Sequence, residues 1–234
     1  MDALKVDGWW QCATRLLLSP RCVICRERGF NGIDLCASCT TRLPWNLTSC
    51  LRCGIPLATV GACGECLQRP PALTYTRAVF VYGFPLDRLV PRFKFHRDLA
   101  AGRLMAGLMT QALASAPRPD AIVPVPLHSR RLRERGYDQA LELARPLASA
   151  FGLPLRPDLL QRIRPTTPQS ELDASQRQRN VAKAFAVPPR IALPAHIALV
   201  DDVMTTGATL QAAARALLSA GAARVDAWVC ARVP

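Results

Sequence analysis

Two adjacent aspartates, Asp201 and Asp202, follow the apolar run 197–200 and precede a short loop of threonines and small residues. An apolar run of this kind is typical of a buried strand in a parallel sheet. Carboxylates at the carboxyl end of such a strand can accept hydrogen bonds from the 2′- and 3′-hydroxyls of a ribose, and carboxylate oxygens also suit Mg²⁺. The acidic pair therefore predicts a ribose site at the end of a strand.

The loop after the acidic pair leads into the Ala-rich segment Leu210 to Ala220, which predicts a helix. The start of a helix offers backbone N–H groups without intrahelical partners and a positive dipole end, and both favour an anion. Gly207 allows the main chain to approach that anion closely. A strand followed by an ordinary Asx turn is the simpler interpretation, but it does not explain the ordered set. The predicted ligands of a ribose 5-phosphate are Asp201, Asp202, Thr205, Thr206, Gly207, Ala208 and Thr209.

The segment from Ile197 to Thr209 resembles the motif with which type I phosphoribosyltransferases bind phosphoribosyl pyrophosphate (PRPP). The resemblance implies an α/β fold of the type I phosphoribosyltransferase kind, with a parallel sheet and helices on both faces. It also implies PRPP as the ligand, accompanied by Mg²⁺.

Eight of the ten cysteines form four C-x-x-C pairs at nearly equal intervals. One C-x-x-C turn places two thiolates within reach of a metal ion, and two turns complete a tetrahedral Cys₄ zinc site. Because four thiolates leave no open coordination position, the predicted zinc sites are structural. Interleaved pairing of the turns is an alternative to sequential pairing. Sequential pairing joins Cys22, Cys25, Cys36 and Cys39 in one site and Cys50, Cys53, Cys63 and Cys66 in the other.

Other interpretations of the cysteines are disfavoured. A disulfide framework requires an oxidising compartment, but no secretion signal is recognisable and no run of about eighteen apolar residues predicts a transmembrane helix. We therefore expect a cytoplasmic protein without membrane insertion. A thioredoxin-like role does not fit four evenly spaced pairs. Cys12 and Cys230 lie outside the pattern, and Cys230 is predicted to be a core residue of a final strand, 225–233.

A second candidate binding segment, residues 124–137, overlaps the end of a predicted strand and is rich in arginine. Guanidinium groups suit pyrophosphate, because each donates several hydrogen bonds in one plane. Since ligands of parallel sheets bind at the carboxyl ends of the strands, this segment and the acidic loop should open into one crevice. A solvated basic turn is the alternative. The candidates are His128 and Arg135 for PRPP binding, Arg131 for gripping pyrophosphate, and Arg130, Arg133 and Lys183, together with Lys94, as catalytic residues that stabilise the charge of departing pyrophosphate.

The chain has 234 residues, 50% of them hydrophobic, which is enough for one sizeable core and a small module. Pro70 and Pro71 end the cysteine-rich segment and predict a double zinc ribbon over 1–70 and a phosphoribosyltransferase-like domain over 71–234. Strands are predicted at Thr76 to Phe84 and Ala121 to Pro126, and helices at Asp98 to Ala114 and Tyr137 to Phe151. Pro146 should kink or shorten the last of these helices.

The segment from Pro124 to Gln139 also resembles the characteristic loop of the ComF family, which includes competence proteins and GntX-type proteins. With the C-x-x-C pairs, the resemblance covers nearly the whole chain. One departure is Asp138, where the family usually has asparagine, and a carboxylate there would weaken anion binding or recruit a metal. The family's second characteristic segment is matched by Thr167, Gln169, Leu172, Arg177, Asn180, Val181, Ala184 and Phe185.

The ComF resemblance implies a role in handling incoming single-stranded DNA during natural transformation, with DNA and a ComFA-like DNA-translocating ATPase as partners. The formal net charge of +13 agrees with polyanionic or phosphorylated partners. Trp45, Phe93 and Tyr137 are candidates for stacking on bases, although only 6% of the residues are aromatic.

An active, Mg²⁺-dependent phosphoribosyltransferase is the alternative function. In that reaction a nitrogen nucleophile attacks C1 of the ribose while pyrophosphate leaves, and the protein contributes positioning and charge stabilisation. The sequence does not identify a pocket for the acceptor. A role in gluconate utilisation rests only on the name of the GntX-type proteins.

Overall fold

The computed structural model describes residues 20–164 and 184–234. The chain divides into two compact units, Met1–Leu43 and Pro44–Pro234. The cysteine motifs predict a boundary near residue 70, whereas this division follows compactness and places the second set of four cysteines within the larger unit.

In the smaller unit, the described residues form tight turns followed by the short helix α1 (Ala37–Thr41). Backbone hydrogen bonds close these turns, from Val23 N–H to the Asp34 carbonyl at 3.0 Å and from Phe30 N–H to the Leu35 carbonyl at 2.8 Å. The side chain of Leu35 is fully buried. So small a core is consistent with folding that depends on bound metal.

The strands of the larger unit are β1 (Tyr75–Val81), β2 (Ala121–Pro124), β3 (Gln161–Arg162), β4 (Phe185–Ala186), β5 (His196–Met204) and β6 (Arg224–Arg232). Four of them form a parallel sheet in the order β1-β6-β5-β2. A separate pair, β3 and β4, is antiparallel. Pro124 at the end of β2 pairs with Val200 in β5, so the residues that follow both strands emerge at the same edge.

The helices of the larger unit are α2 (Gly64–Gln68), α3 (Leu86–Phe95), α4 (Leu99–Leu113), α5 (Ser129–Arg135), α6 (Gln139–Phe151) and α7 (Ala208–Ser219). They cover both faces of the parallel sheet, as the sequence predicts. Val225, Ala227 and Val229 of β6 belong to one core cluster with the buried face of α7. Trp228, whose side chain points to the other face, packs edge-on against Phe151 of α6 with ring centroids 5.6 Å apart.

Most predicted elements are present, with shifted ends. Asp98 caps α4 by accepting a hydrogen bond from Ala101 N–H at 3.0 Å. The first and second predicted strands end earlier, at Val81 and Pro124. Pro146 lies within α6, which continues to Phe151 rather than ending at the proline.

The sequence analysis did not predict the short helices α1, α2, α3 and α5. The arginine-rich segment that the sequence suggests is a loop contains the seven-residue helix α5, none of whose residues is buried. Among the described residues, no helix is both long and apolar enough to cross a membrane.

Candidate functional site

The cysteines form two clusters, and each cluster contains two consecutive C-x-x-C turns. Within each cluster the four Sγ atoms lie within 4.8 Å of one another. The separations Cys25–Cys36, Cys25–Cys39 and Cys53–Cys63 are 3.6, 3.7 and 3.7 Å. Four thiolates about 2.3 Å from one Zn²⁺ stand about 3.8 Å apart, so these separations fit a tetrahedral zinc site. The structure thus groups the turns sequentially, with Cys22, Cys25, Cys36 and Cys39 in the first cluster and Cys50, Cys53, Cys63 and Cys66 in the second.

The environment favours the thiolate at one sulfur in each cluster, whereas burial raises the pKa of Cys53 to about 11 and also raises the pKa of Cys39 and of Cys66. Cys50 Sγ accepts hydrogen bonds from the backbone N–H groups of Arg52 at 3.4 Å and Cys63 at 3.3 Å. Burial raises the pKa of Cys50, but backbone donors more than offset this effect and lower it to about 6. The same balance lowers the pKa of Cys22 to about 6. The sulfurs are far beyond the S–S bond length of about 2.05 Å, so a disulfide framework is excluded for the eight clustered cysteines.

The second cysteine cluster (Cys50, Cys53, Cys63 and Cys66) is hydrogen-bonded to strands of the larger unit. Thr76 in β1 donates its backbone N–H to the Leu51 carbonyl and its hydroxyl to the Arg52 carbonyl, both at 2.8 Å. Asn46 donates its amide to the Gly54 carbonyl at 2.8 Å. These bonds fix the metal-binding turns on the edge of the sheet.

The loop between β5 and α7, residues 205–207, passes through a glycine in the left-handed region just before the helix begins. Gly207 has φ +76°, a conformation that favours glycine, and a Cβ on this residue would lie 2.4 Å from Met204 Cε, so the flexible end of the Met204 side chain would have to shift. The hydroxyl of Thr206 accepts a hydrogen bond from Ala208 N–H at 3.4 Å. A small cavity beside the loop is lined by Asp201, Val203, Met204, Thr205, Gly207, Ala208, Thr209 and Leu210.

The acidic pair adjoins this cavity and contacts a lysine from α3. Lys94 Nζ lies 2.9 Å from Asp202 Oδ1, and the two side chains are only 22% and 8% exposed. Burial opposes the charge of Lys94, but the carboxylates of Asp202 and Asp201 more than offset burial and raise its pKa. Burial and the neighbouring Asp202 carboxylate raise the pKa of Asp201 to about 8. The pair therefore carries less negative charge near neutral pH than two free aspartates would.

A larger cleft joins the acidic pair to the residues that follow β2. It contains about 590 Å³ of empty space, part of which is open to solvent. Asp201 and Thr209 line both this cleft and the cavity at the loop, so the two spaces adjoin each other. The structure thus brings the two predicted segments to one crevice. Its lining includes Lys94, Val125, Pro126, Leu127, Arg131, Arg135, Asp138, Gln139, Arg162, Asp202 and Val203.

The arginine-rich helix α5 divides its side chains between the cleft and the solvent. Arg131 and Arg135 line the cleft, whereas the lining does not include His128, Arg130 or Arg133. His128 is the N-cap of α5, where its Nδ1 accepts a hydrogen bond from Arg130 N–H at 3.3 Å. Arg130 pairs with the exposed Glu134 at 3.0 Å, and Arg133 is exposed. The predicted site residue Lys183 and the family-matching positions from 167 to 181 lie outside the described residues.

Asp138, where the resemblance implies asparagine, joins two segments of the cleft. Its Oδ1 accepts from Leu141 N–H at the start of α6, and its Oδ2 accepts from Leu127 N–H after β2, both at 3.1 Å. Asparagine has one acceptor oxygen and an NH₂ group, so it cannot accept both bonds in this arrangement. Burial raises the pKa of Asp138. The carboxylate therefore holds the wall of the cleft in place.

Each of the three aromatic candidates packs against another ring. Phe93 is fully buried and packs against Tyr137, with ring centroids 5.7 Å apart. Trp45 packs against Phe80 at 4.7 Å. Phe95, which motif reasoning missed, is 64% exposed. Arg135 lies over its ring, 5.2 Å from the centroid.

Sequence reasoning also missed Arg162, which comes from β3 and lies over the ring of Phe185 at 5.4 Å. Burial is the main cause that lowers the pKa of Arg162, to about 10. Neither Arg162 nor Phe95 belongs to a motif of the kind that marked the acidic loop. The available signal was only their residue type.

The model of the double zinc ribbon domain family matches residues 13–67. This match spans all eight clustered cysteines and agrees with the two Cys₄ groups. Among the described residues, the two cysteine clusters are the only groups of three or more histidine, cysteine or acidic side chains that have the geometry to hold a metal ion.

Relatives match nearly the whole chain. It is 36% identical to the DNA utilization protein YhgH of Salmonella typhimurium over 90% of this chain and 96% of that protein. It is 34% identical to Competence protein F of Haemophilus influenzae over 91% of this chain and 96% of that protein. It is 29% identical to Competence protein ComFC of Bacillus subtilis over 85% of this chain and 84% of that protein. The zinc-ribbon match, the parallel α/β fold and these full-length similarities show that the chain belongs to the ComF family.

Proposed function

We propose that this protein binds PRPP, together with Mg²⁺, in the cleft at the carboxyl edge of the sheet, and that it handles internalised single-stranded DNA. The observation that supports PRPP best is the combination of the acidic pair and the Gly207 loop with four cationic side chains in one cleft. These cations are Lys94, Arg131, Arg135 and Arg162.

The proposed arrangement follows the charges. The 5′-phosphate binds to the N–H groups of the Gly207 loop and the start of α7, where the helix dipole favours an anion. The ribose hydroxyls donate to Asp201 and Asp202. The pyrophosphate faces Arg131 and Arg135, whose planar guanidinium groups match phosphate oxygens.

In this arrangement Lys94 interacts with both the acidic pair and the pyrophosphate. In the free protein it pairs with Asp202 at 2.9 Å. A bound pyrophosphate offers Lys94 a second anion and leaves Asp202 available to a ribose hydroxyl. The Asp201 and Asp202 carboxylates fit Mg²⁺ in chemistry, since Mg²⁺ commonly combines one or two carboxylates with the phosphate oxygens of a substrate.

The proposal for DNA is supported by the relatives and by the surface beside the cleft. The relatives bear the names DNA utilization protein and competence protein. Phe95 exposes most of its ring at this surface, and Arg135 covers part of it. Exposed aromatic rings beside arginines bind single strands through stacking and phosphate contacts. In this role we expect a cytoplasmic protein that cooperates with a ComFA-like DNA-translocating ATPase.

A second candidate function is phosphoribosyl transfer itself. The cations of the cleft favour it, because the departing pyrophosphate requires neutralisation of its charge. A nitrogen acceptor would bond to C1 of the ribose while the bond from C1 to the pyrophosphate oxygen breaks. Arg130, Arg133 and Lys183 are further candidates for stabilising this charge.

Calorimetric titration of zinc-loaded protein with PRPP and Mg²⁺ tests the binding site. Asp201→Asn and Asp202→Asn should each weaken binding by about 10- to 100-fold, because a hydrogen bond to a charged group contributes about 1.5–3 kcal/mol. Asp158→Asn is the matched control, since Asp158 forms an ion pair with Arg156 at 2.8 Å outside the cleft. If a variant that carries both substitutions bound PRPP with wild-type affinity, the assignment of the site would be wrong. Release of pyrophosphate on addition of candidate acceptors would then distinguish transfer from binding.

Anisotropy of a fluorescent single-stranded oligonucleotide tests the DNA proposal. The logarithm of the affinity should fall with the logarithm of salt concentration, with a slope of about −0.7 per contacted phosphate. Phe95→Ala should weaken binding by about 5- to 100-fold if a base stacks on the ring, since stacking contributes about 1–3 kcal/mol. Phe84→Ala is the control, because Phe84 is also exposed and lies under an arginine, Arg88, but does not line the cleft. Equal effects of the two substitutions would contradict the proposed surface.

A further inference from the structure

Arg232, the last residue of β6, connects the second cysteine cluster to the phosphate-binding loop. Its side chain is buried, although it is charged and lies at the end of a strand. Nε donates to the carbonyl of Cys53 at 3.1 Å, and one terminal nitrogen lies 3.4 Å from the carbonyl of Met204. The same nitrogen also contacts the carbonyl of Val233. One guanidinium group thus contacts the main chain of a metal-ligand residue and the main chain of β5.

Met204 is the residue from which the phosphate-binding loop departs. It pairs in register with Arg232, and its carbonyl also accepts a hydrogen bond from Val233 N–H at 3.0 Å. The terminal methyl group of its side chain lies over Gly207 and would have to shift if that glycine carried a Cβ. Met204 also directly precedes residues 205–207, so its main-chain position sets where the loop starts.

At the second cysteine cluster, Arg232 interacts through its charge as well as through a hydrogen bond. A Cys₄ site with all sulfurs deprotonated carries a net charge of about −2 when Zn²⁺ is bound. Arg232 is a buried cation beside this cluster, and the anionic groups near it are Glu65 and the sulfurs of Cys53, Cys63 and Cys66. Because a buried charge is costly without a partner, metal-bound thiolates and Arg232 stabilise each other.

We propose that Arg232 is a positioning residue that couples the second cysteine cluster to the ribose-phosphate site. With metal bound, Cys53 is fixed, Arg232 keeps its contacts to Cys53 and Met204, and the loop holds the conformation that receives a phosphate. When the metal is lost, the Cys53 turn loosens, and Arg232 no longer holds Met204 against β6. The consequence for PRPP affinity rests on the proposed function, whereas the consequence for loop order does not.

Hydrogen exchange of residues 205–209, together with calorimetric titration of Mg²⁺ and PRPP, tests this coupling. Arg232→Gln should increase exchange in the loop and in residues 50–66 and weaken PRPP binding about tenfold, the equivalent of one charge-assisted hydrogen bond. Arg232→Lys should have an intermediate effect, because an ammonium group lacks the planar fork that spans two carbonyls. Arg224→Gln is the matched control. Arg224 begins the same strand and binds Asp226 with two hydrogen bonds, at the opposite edge of the sheet.

Stepwise removal of zinc by a chelator provides a second route that requires no change at Arg232. In a Cys22→Ser, Cys25→Ser variant the second cluster is the remaining Cys₄ site, so loop exchange should rise in proportion to zinc release. Unchanged loop exchange after release, or wild-type exchange in Arg232→Gln, would overturn the coupling. If the loop responds but wild-type protein does not bind PRPP, the coupling holds and the proposed ligand is wrong. If Arg232→Gln does not fold, the lysine variant and zinc removal decide.

Discussion

The two cysteine clusters have the same ligands and the same C-x-x-C turns, yet they are tied to their surroundings differently. The hydrogen bonds described around the first cluster join residues close in sequence, such as Val23 to Asp34 and Thr40 to Cys36. Around the second cluster, Thr76 and Arg232 bind carbonyls that lie 24 and 179 positions away. The first cluster organises its own turns, whereas the second is part of the network that holds β1, β5 and β6.

This difference shows that a metal motif specifies its metal but not what the metal supports. Spacing of the thiolates is enough to predict a Cys₄ site. The effect of losing that site depends on which carbonyls of the metal-binding turns are hydrogen-bonded, and to what. We therefore expect loss of the first zinc to unfold a local segment and loss of the second to destabilise the sheet.

Removing the ligands of each cluster in turn should produce the largest contrast. Cys50→Ser with Cys53→Ser should lower the free energy of unfolding of the larger unit by several kcal/mol, since structural zinc in finger peptides binds with about 10–16 kcal/mol. Cys22→Ser with Cys25→Ser should remove the same amount of zinc and leave the larger unit nearly unchanged. Zinc content by mass spectrometry and hydrogen exchange in β1 and β6 measure both effects. Equal protection of β6 in the two variants would contradict the difference we infer.

A pH titration should give an intermediate effect that belongs to the larger unit. The pKa of Asp201 is raised to about 8 in the folded protein, so between about pH 4 and pH 8 the folded state holds a proton that the unfolded state releases. Stability should therefore fall as pH rises through this window. Asp201→Asn removes the effect, so the variant should melt a few degrees higher than the wild type at pH 8 and show a smaller gain near pH 5.

Thermal unfolding of zinc-loaded, PRPP-free protein measures this difference. Asp158→Asn is an informative control, because its ion pair with Arg156 lowers the pKa of Asp158 and makes the ionised form stabilising. That carboxylate is largely exposed, so its substitution should lower the melting temperature slightly or not at all. A gap between wild type and Asp201→Asn that does not widen with pH would show that Asp201 is ionised in the free protein.

The elements with strong local signals were predictable from the sequence. The apolar run 197–200 specified the central strand, and Asp98 marked the start of α4. The even intervals between C-x-x-C pairs favoured a double ribbon. Helix α5 escaped prediction because it buries none of its residues and so lacks a hydrophobic period. Helix α3 contains Pro91, which argues against a helix when read locally.

The candidate site was predictable on its acidic side and less so on its basic side. The carboxylates and the Gly207 loop are contiguous in sequence, so one motif identifies them. The cations come from α3, α5 and β3, and only the fold places Lys94, Arg131 and Arg162 in the same cleft. Helix α5 also turns alternate arginines in different directions, which explains why Arg135 lines the cleft and Arg133 is exposed.

The smallest expected effect concerns single hydroxyl groups, and it separates the two clusters most sharply. Thr76→Val removes the hydroxyl bonded to the Arg52 carbonyl and keeps the β-branched shape and the backbone N–H bond to Leu51. Thr76 is 1% exposed, so loss of this hydrogen bond should lower the free energy of unfolding of the larger unit by about 1 kcal/mol and its melting temperature by about 2–4 °C.

Thr40→Val is the matched change at the first cluster, where the hydroxyl donates to the Cys36 carbonyl at 2.9 Å. That bond lies within one turn of α1 and is partly exposed, so its loss should leave the melting of the larger unit unchanged. Calorimetry of both zinc-loaded variants measures the difference. If Thr76→Val also melts like the wild type, its hydroxyl adds nothing to the attachment of the second cluster. The attachment would then depend on Arg232 and the backbone hydrogen bonds.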